Sequence, residues 1–229
     1  MRIIAHRACP LHAPENSLAG VKMARSLGAD AVEIDIRLTS DRVPVLNHDR
    51  TFWRTARSPL PVHRTSSAHF AKLRERKSGA PMPSLSEVLD VLPDGVDMAL
   101  DLKAPEALAP TVNLLARHGL LSRAGLWVRD EAHVRQAATL APDTERALLR
   151  NTYTPAKTTR YLQDAVNCGA TAVSIHQRGL TYEAVSESLA KGLTTYCWVI
   201  DLGDLPRVVE IGIQGVVVDS PDLARQILN

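Results

Sequence analysis

From residue 84 onward the sequence alternates short apolar runs of strand character with amphipathic stretches at helical spacing, and few architectures accept that rhythm. Helical spacing runs over Ser84 to Leu92, Glu106 to His118, Glu131 to Leu140, Pro155 to Cys168, Tyr182 to Ala190, Leu202 to Ile211 and Pro221 to Leu228. Between these lie strands at Val96 to Lys103, Gly125 to Arg129, Glu145 to Arg150, Thr171 to His176, Thr194 to Ile200 and Gly215 to Val218. Upstream, a strand at Ile3 to Arg7 leads to a helix from an N-cap at Asn16 to Leu27, stopped by Gly28, and then to a strand over Ala31 to Arg37. Eight main strands, each followed by a helix, require parallel pairing with right-handed crossovers. Closed on themselves they form an α/β fold, a single-domain (β/α)8 barrel of the TIM type spanning residues 1–229. A doubly wound open sheet is the rival. It is disfavoured because no G-x-G-x-x-G or G-x-x-x-x-G-K-[ST] turn is present.

The strand Ala31-Val-Glu-Ile-Asp-Ile-Arg37 carries two registers. Val32, Ile34 and Ile36 point one way, and Glu33, Asp35 and Arg37 the other. Two carboxylates side by side on one face repel unless a cation or a proton sits between them. The pattern recurs in Met98-Ala-Leu-Asp-Leu-Lys103, where Asp101 and Lys103 share a face, and the first strand ends in His6 and Arg7. A short strand at Val43 to His48, with Pro44 suited to an edge, delivers His48 and Asp49.

In a barrel these strand ends share one mouth, so His6, Glu33, Asp35, His48 and Asp101 converge, with Arg7 and Lys103 beside them. Three carboxylates suit a hard divalent cation, Mg²⁺ or Ca²⁺. Two histidines supply a general acid and a general base near neutral pH, and Arg and Lys suit a phosphate oxygen. Together these parts describe cleavage of a phosphodiester without a covalent enzyme intermediate.

Other function classes fit poorly. A net charge of +2, with Lys and Arg spread along the chain, does not indicate a nucleic-acid surface. Cys9, Cys168 and Cys197 have no C-x-x-C spacing, which suggests neither a disulfide framework nor a zinc site. With no apolar run near the ~18 residues of a membrane span and no signal-like start, the expected location is cytoplasmic, with no stable membrane insertion. The expected partner is a small-molecule phosphodiester.

Residues 50–83 lose the regular cadence apart from one expected short helix at Ser67 to Arg76. Of the arginines there, Arg50, Arg57 and Arg64 read as a solvated face, whereas Arg54 is a candidate for the site's border.

The chain also resembles the glycerophosphodiester phosphodiesterases. The resemblance rests on Ala5-His-Arg7, Pro14-Glu-Asn-Ser17, Gly28-Ala-Asp-Ala-Val-Glu-Ile-Asp35, Val45-Leu-Asn-His-Asp49 followed by Arg54-Thr55, and Met82-Pro-Ser-Leu-Ser-Glu-Val-Leu89. It continues through Asp101-Leu-Lys103, Cys197-Trp-Val-Ile-Asp201 and Gly212-Ile-Gln-Gly-Val-Val-Val-Asp-Ser-Pro221, in order along essentially the whole chain. It implies a (β/α)8 barrel with His6 and His48 as acid and base, and Glu33, Asp35 and Asp101 as metal ligands. It also implies Arg7 and Lys103 on the phosphate, with Trp198 and Glu15 on the substrate side. In such enzymes the glycerol 2-hydroxyl can attack phosphorus first and give a cyclic phosphate. The sequence departs from the family at two places: Ala8 stands where Gly is usual, and Asp101 where Glu is usual. A non-catalytic phosphate-binding barrel, or a lysophospholipid or sphingolipid diesterase leaving a cyclic product, are the alternatives.

The remaining polar residues read as structural. His12 is expected to be a solvated loop residue, and His63, His69, His118 and His133 to lie on the surface. Cys9 is expected to pack, and Asp219 to serve the turn before the last helix. His176 and Asn151 sit at later strand ends that open on the mouth.

Overall fold

The computed structural model describes residues 1–151, 154–199 and 201–228. Its strands are β1 (Arg2–Ala5), β2 (Ala31–Leu38), β3 (Pro44–Leu46), β4 (Thr51–Phe52), β5 (Ser58–Pro61), β6 (Asp97–Leu102), β7 (Ala124–Val128), β8 (Glu145–Leu149), β9 (Ala172–Ser174), β10 (Thr194–Trp198) and β11 (Gly215–Val218). The helices are α1 (Leu18–Met23), α2 (Trp53–Ala56), α3 (Ser67–Phe70), α4 (Leu85–Val91), α5 (Leu108–Arg117), α6 (Glu131–Leu140), α7 (Pro155–Cys168), α8 (Tyr182–Ala190), α9 (Leu205–Glu210) and α10 (Pro221–Leu228). Strands β1, β2 and β6 to β11 pair in parallel, and β1 bonds to both β2 and β11, so the eight close into the expected barrel. The extension of β10 to Ile200 falls outside the described residues.

Alternation along the strands sorts the two sides of the barrel wall. Val32, Ile34 and Ile36 of β2 and Leu100 and Leu102 of β6 face outward into the helix layer, where they join Val21, Leu85, Val88, Leu108 and Val112. The inward register fills the lumen in layers. Its middle is a plug of Ile4, Ala31, Ala99, Trp127, Ala147, Tyr196 and Val217. Two large rings fit only because small residues face them: a Cβ on Gly215 would lie 2.8 Å from the Tyr196 ring, and one on Gly125 would lie 3.0 Å from Trp127 Nε1. Below the plug Glu145 accepts hydrogen bonds from Tyr196 Oη at 2.6 Å and Trp127 Nε1 at 3.2 Å. Above it Trp198 meets Trp127 edge to face at 5.3 Å, which makes the plug's upper surface the floor of a cavity at the mouth.

The segment between β3 and α4 holds more structure than its composition suggests. It contains the β4–β5 hairpin and α2, neither expected from sequence, packed around Val45, Phe52, Val62, Phe70 and Met82. The helix expected over Ser67 to Arg76 stops at Phe70, because Arg74 turns away to form a bridge with Pro81. β3 lies antiparallel to β2 at the sheet's end, with Pro44 opposite Leu38, as an edge proline allows.

The first helix begins at Ser17, whose hydroxyl accepts from Gly20 N; Asn16, expected to cap it, is used elsewhere. Three consecutive residues after β1, Arg7, Ala8 and Cys9, have positive φ, so the turn carrying His6 and Arg7 is strained. Ala8 adopts φ +57°. Helix α1 braces this turn at the closest possible range, since a Cβ on Gly20 would fall 1.8 Å from the Ala8 carbonyl oxygen. Gly20→Ala must therefore displace one of the two backbones. Overpacking of this kind costs about 1–3 kcal/mol, which for a chain of this length lowers Tm by roughly 2–10 °C. Thermal unfolding by circular dichroism checks it, and an unchanged Tm would show that the contact relaxes freely.

Candidate active site

The neighbouring strands β2 and β6 place Glu33, Asp35 and Asp101 together, each about 1% exposed. One carboxylate oxygen from each lies within 4.8 Å of the other two. The register explains the convergence: Asp35 stands opposite Asp101, and Glu33 opposite Ala99, all on the inward face.

Each carboxylate meets a different environment. Asp35 accepts from Asn16 Nδ2 at 2.8 Å, while its own backbone N–H donates to Asn16 Oδ1 at 2.9 Å. Its other oxygen accepts no well-formed hydrogen bond and has the Lys103 ammonium at 3.0 Å. Asp101 is held by Lys103 Nζ at 2.5 Å and by both Nη atoms of Arg129 at 2.5 and 2.8 Å. Burial pushes its carboxyl up, but these two cations outweigh it and keep the group below the usual carboxylate range. Among the described residues Glu33 accepts only the Arg7 backbone N–H at 2.9 Å, with His6 Nε2 3.9 Å away. Burial and the charges of Asp35 and Asp101 push it well above the usual range. Three hard oxygen donors, one of them short of compensating positive charge, fit a hard divalent cation.

Both histidines line the same cavity of about 470 Å³, and each is oriented by a carboxylate. His6 Nδ1–H donates to Asp219 Oδ1 at 2.6 Å, and His48 Nδ1–H to Asp49 Oδ1 at 2.7 Å. Burial alone would lower the His6 pKa; the bond to Asp219 and the charge of Glu33 overcome it, so the net shift is upward. Arg37 fixes the loop of His48 by donating twice to the His48 carbonyl oxygen, at 3.0 and 2.7 Å. Arg7 reaches Glu15 at 3.2 Å and Asp35 at 3.4 Å. Glu15 in turn binds Arg54, which also grips Asp49 at 2.7 Å. Arg7, Lys103 and Trp198 all face the cavity.

The nine expected site residues thus come together, and the structure adds four. Arg129 follows Gly125 and Trp127 in the inward register of β7, a period-two signal visible in the sequence. Asn16 and Asp219 were assigned to a cap and a turn, whereas they hold Asp35 and His6. Asp49 is the fourth. His12, expected to be solvated, pairs with Asp222 at 3.2 Å and ties the first loop to α10. Asn151 and Ser174 line the cavity wall, and the His176 ring accepts from Arg178 N. Cys9 is fully buried with its thiol pushed up to about 12, first by burial and then by Asp222, in agreement with a packing role.

The glycerophosphoryl diester phosphodiesterase family model matches residues 6–223. The chain belongs to this family. Among curated relatives, the glycerophosphodiester phosphodiesterase of Caldanaerobacter subterraneus subsp. tengcongensis is 24% identical, covering 96% of this chain and 94% of its own length. A Mycobacterium tuberculosis protein named "Probable glycerophosphodiester phosphodiesterase 1" is 30% identical, covering 96% and 89%. Among solved structures, an Oleispira antarctica phosphodiesterase in complex with the product sn-glycerol-3-phosphate superposes with a TM-score of 0.87 at 23% identity, covering 100% of this chain and 96% of that one. The glycerophosphodiester phosphodiesterase of Thermotoga maritima gives 0.82 at 17% identity, covering 99% and 98%. The glycerophosphoryl diester phosphodiesterases are phosphoric diester hydrolases, the enzyme class expected from the sequence. No helix among the described residues is long and apolar enough to cross a membrane.

The Asp219 contact makes a pH-dependent prediction. A His whose folded pKa is raised stabilises the fold below its ordinary value of about 6.5 and loses that contribution as pH rises through the raised value. Asp219→Asn removes the main raising interaction, so the His6 titration followed by NMR moves to lower pH. The Tm deficit of the variant is widest below about pH 6.5 and narrows above it. A deficit that grows with pH would contradict the assignment.

Proposed function

We propose that this chain hydrolyses glycerophosphodiesters to a glycerol phosphate and an alcohol, with His6 and His48 as the acid–base pair and a divalent cation, Mg²⁺ or Ca²⁺, as cofactor. The observation that carries the reading is the pairing of Nδ1 of each histidine with its own carboxylate, which leaves both Nε2 atoms for the cavity that Glu33 and Asp101 line. A site built only to bind phosphate needs neither an acid nor a base.

Glu33, Asp35 and Asp101 hold the cation, which when bound supplies positive charge toward the phosphoryl oxygens. Arg7, Lys103 and Arg129 add fixed positive charge at the same cavity and orient the phosphate. One imidazole takes the proton of the attacking oxygen, from water or from the substrate's own glycerol 2-hydroxyl. The other gives a proton to the alkoxide as its bond to phosphorus breaks. Asp219 and Asp49 keep each ring in the tautomer that presents Nε2, and they stabilise whichever ring becomes imidazolium. Trp198 contacts the departing alcohol from the cavity floor, and Glu15 fixes the Arg7 guanidinium. The substrate is a soluble small molecule, and the setting is cytoplasmic.

A turnover panel of glycerophosphocholine, glycerophosphoethanolamine and a lysophospholipid, each with Mg²⁺, Ca²⁺, Mn²⁺ or Zn²⁺ and a chelator control, tests this. Activity requires a divalent cation and is lost with chelator. His6→Ala and His48→Ala each lower turnover by about 10²–10⁴, while the calorimetric affinity for the cation stays close to that of the parent. Either variant turning over at the parental rate removes that histidine from the mechanism, and phosphorus NMR of the first product decides between water and the 2-hydroxyl as nucleophile.

A further inference from the structure

Charge is unevenly distributed in this chain. Residues 50–83 contain eight Arg and Lys against one acid, Glu75, a net +7 in a chain whose total is +2, so the remainder carries −5. That segment is the small structured cap on the barrel mouth, tied to the site by the Arg54 bridges to Glu15 and Asp49.

Part of the cap borders a depression of about 660 Å³ lined by Leu11, Glu15, Arg54, Arg76 and Lys77 among others. Both acids near it are already engaged. Glu15 is held by Arg7 and Arg54, and the Glu75 carboxylate accepts from the backbone N–H groups of Lys77 and Ser78 and from the Ser78 hydroxyl. The exposed side chains of Arg76 and Lys77 take no part in the cap's salt bridges. Two large apolar groups of the same region stand in solvent: Leu11, which lines the depression, is 69% exposed, and Trp53, next to Arg54 in sequence on the short helix α2, is 57% exposed.

We propose that Leu11, Trp53, Arg76 and Lys77 form a docking face for an anionic lipid bilayer surface. Exposed cations beside an exposed aromatic and an exposed aliphatic side chain match that surface on both counts. The cations meet anionic head groups, and Trp and Leu enter the interfacial layer below them. A nucleic acid would use the charge but give Leu11 no partner. Because the loop after β1 and the segment between β3 and α4 carry both this face and residues of the site, docking turns the barrel mouth toward the bilayer.

Sedimentation of the full chain with sucrose-loaded vesicles tests the proposal independently of turnover. With vesicles of phosphatidylcholine containing about 30 mol% phosphatidylglycerol, the protein binds at least about tenfold more tightly than to phosphatidylcholine alone. Arg76→Glu with Lys77→Glu weakens binding to the anionic vesicles at least about tenfold, since each basic residue near such a surface contributes about fivefold. Leu11→Ser with Trp53→Ser weakens the binding that persists at about 300 mM salt, where surface charge is screened. Both variants keep the parental Tm and the parental turnover of soluble glycerophosphocholine, which excludes misfolding. No preference for anionic vesicles, or parental binding by Arg76→Glu with Lys77→Glu, overturns the proposal. So does binding to a short DNA duplex as tight as to anionic vesicles with Leu11 and Trp53 dispensable, which would assign the face to a polyanion.

Discussion

Burying three carboxylates with oxygens within 4.8 Å of one another is the constraint that the upper half of this barrel is built around. Taken out of water and uncompensated, each would carry a penalty of several kcal/mol, and their mutual repulsion would add to it. The chain answers with charges and dipoles from separate elements. Lys103 comes from the end of β6, Arg129 from the end of β7, the Arg7 backbone N–H from the turn after β1, and the Asn16 amide from the start of α1. These partners are distant in sequence, so the cluster is correctly paired only when the barrel has closed. The strained turn at Arg7 to Cys9 belongs to the same economy. Its positive φ values aim the Arg7 N–H at Glu33, and Gly20 lets α1 press against it.

The lower half makes that arrangement rigid. Trp127 and Tyr196 fill the lumen at native density because Gly125 and Gly215 face them, and Glu145 satisfies both polar tips. Trp198 rests on this plug, so the floor of the cavity is fixed by aromatic packing instead of by a mobile loop. Loops do carry His6 and His48, but each is anchored twice: His6 by its turn and Asp219, His48 by Asp49 and the Arg37 guanidinium. A rigid scaffold with positioned loops is the usual division of labour at the C-terminal face of such barrels.

Period-two alternation made the barrel and the carboxylate cluster legible in the sequence. Glu33, Asp35 and Asp101 interrupt an otherwise apolar pattern, and a charged residue in the inward register of a parallel strand has few explanations besides function. The same logic extended one residue past Trp127 reaches Arg129. It was missed because an arginine at a strand end reads equally well as the first residue of a solvated loop. Asn16 and Asp219 were hidden for another reason. Each stands beside a helix start, where Asn and Asp have ordinary local uses as caps and turns, and only the three-dimensional structure reveals that Ser17 takes over the cap of the first helix while Asn16 and Asp219 turn to Asp35 and His6. The cap between residues 50 and 83 was illegible because its hairpin and two short helices are stabilised by the cluster around Phe52 and Phe70, not by local propensity.

The shortened third carboxylate acquires its meaning from Arg129. A glutamate at 101 would extend its carboxylate one methylene farther into the mouth, whereas Asp101 stays back and is gripped on both oxygens by one guanidinium. Because Asp101 is buried, removing this partner would leave part of its charge uncompensated, so the grip is not easily surrendered. Lys103 divides itself between Asp101 and Asp35, which leaves Glu33 as the carboxylate with no side-chain cation in contact. The positive charge missing from the cluster is therefore missing on the side of Glu33 and His6, not at Asp101. That side of the cluster lies next to the histidine that Asp219 holds, and the guanidinium of Arg129, half exposed, sits on the opposite carboxylate.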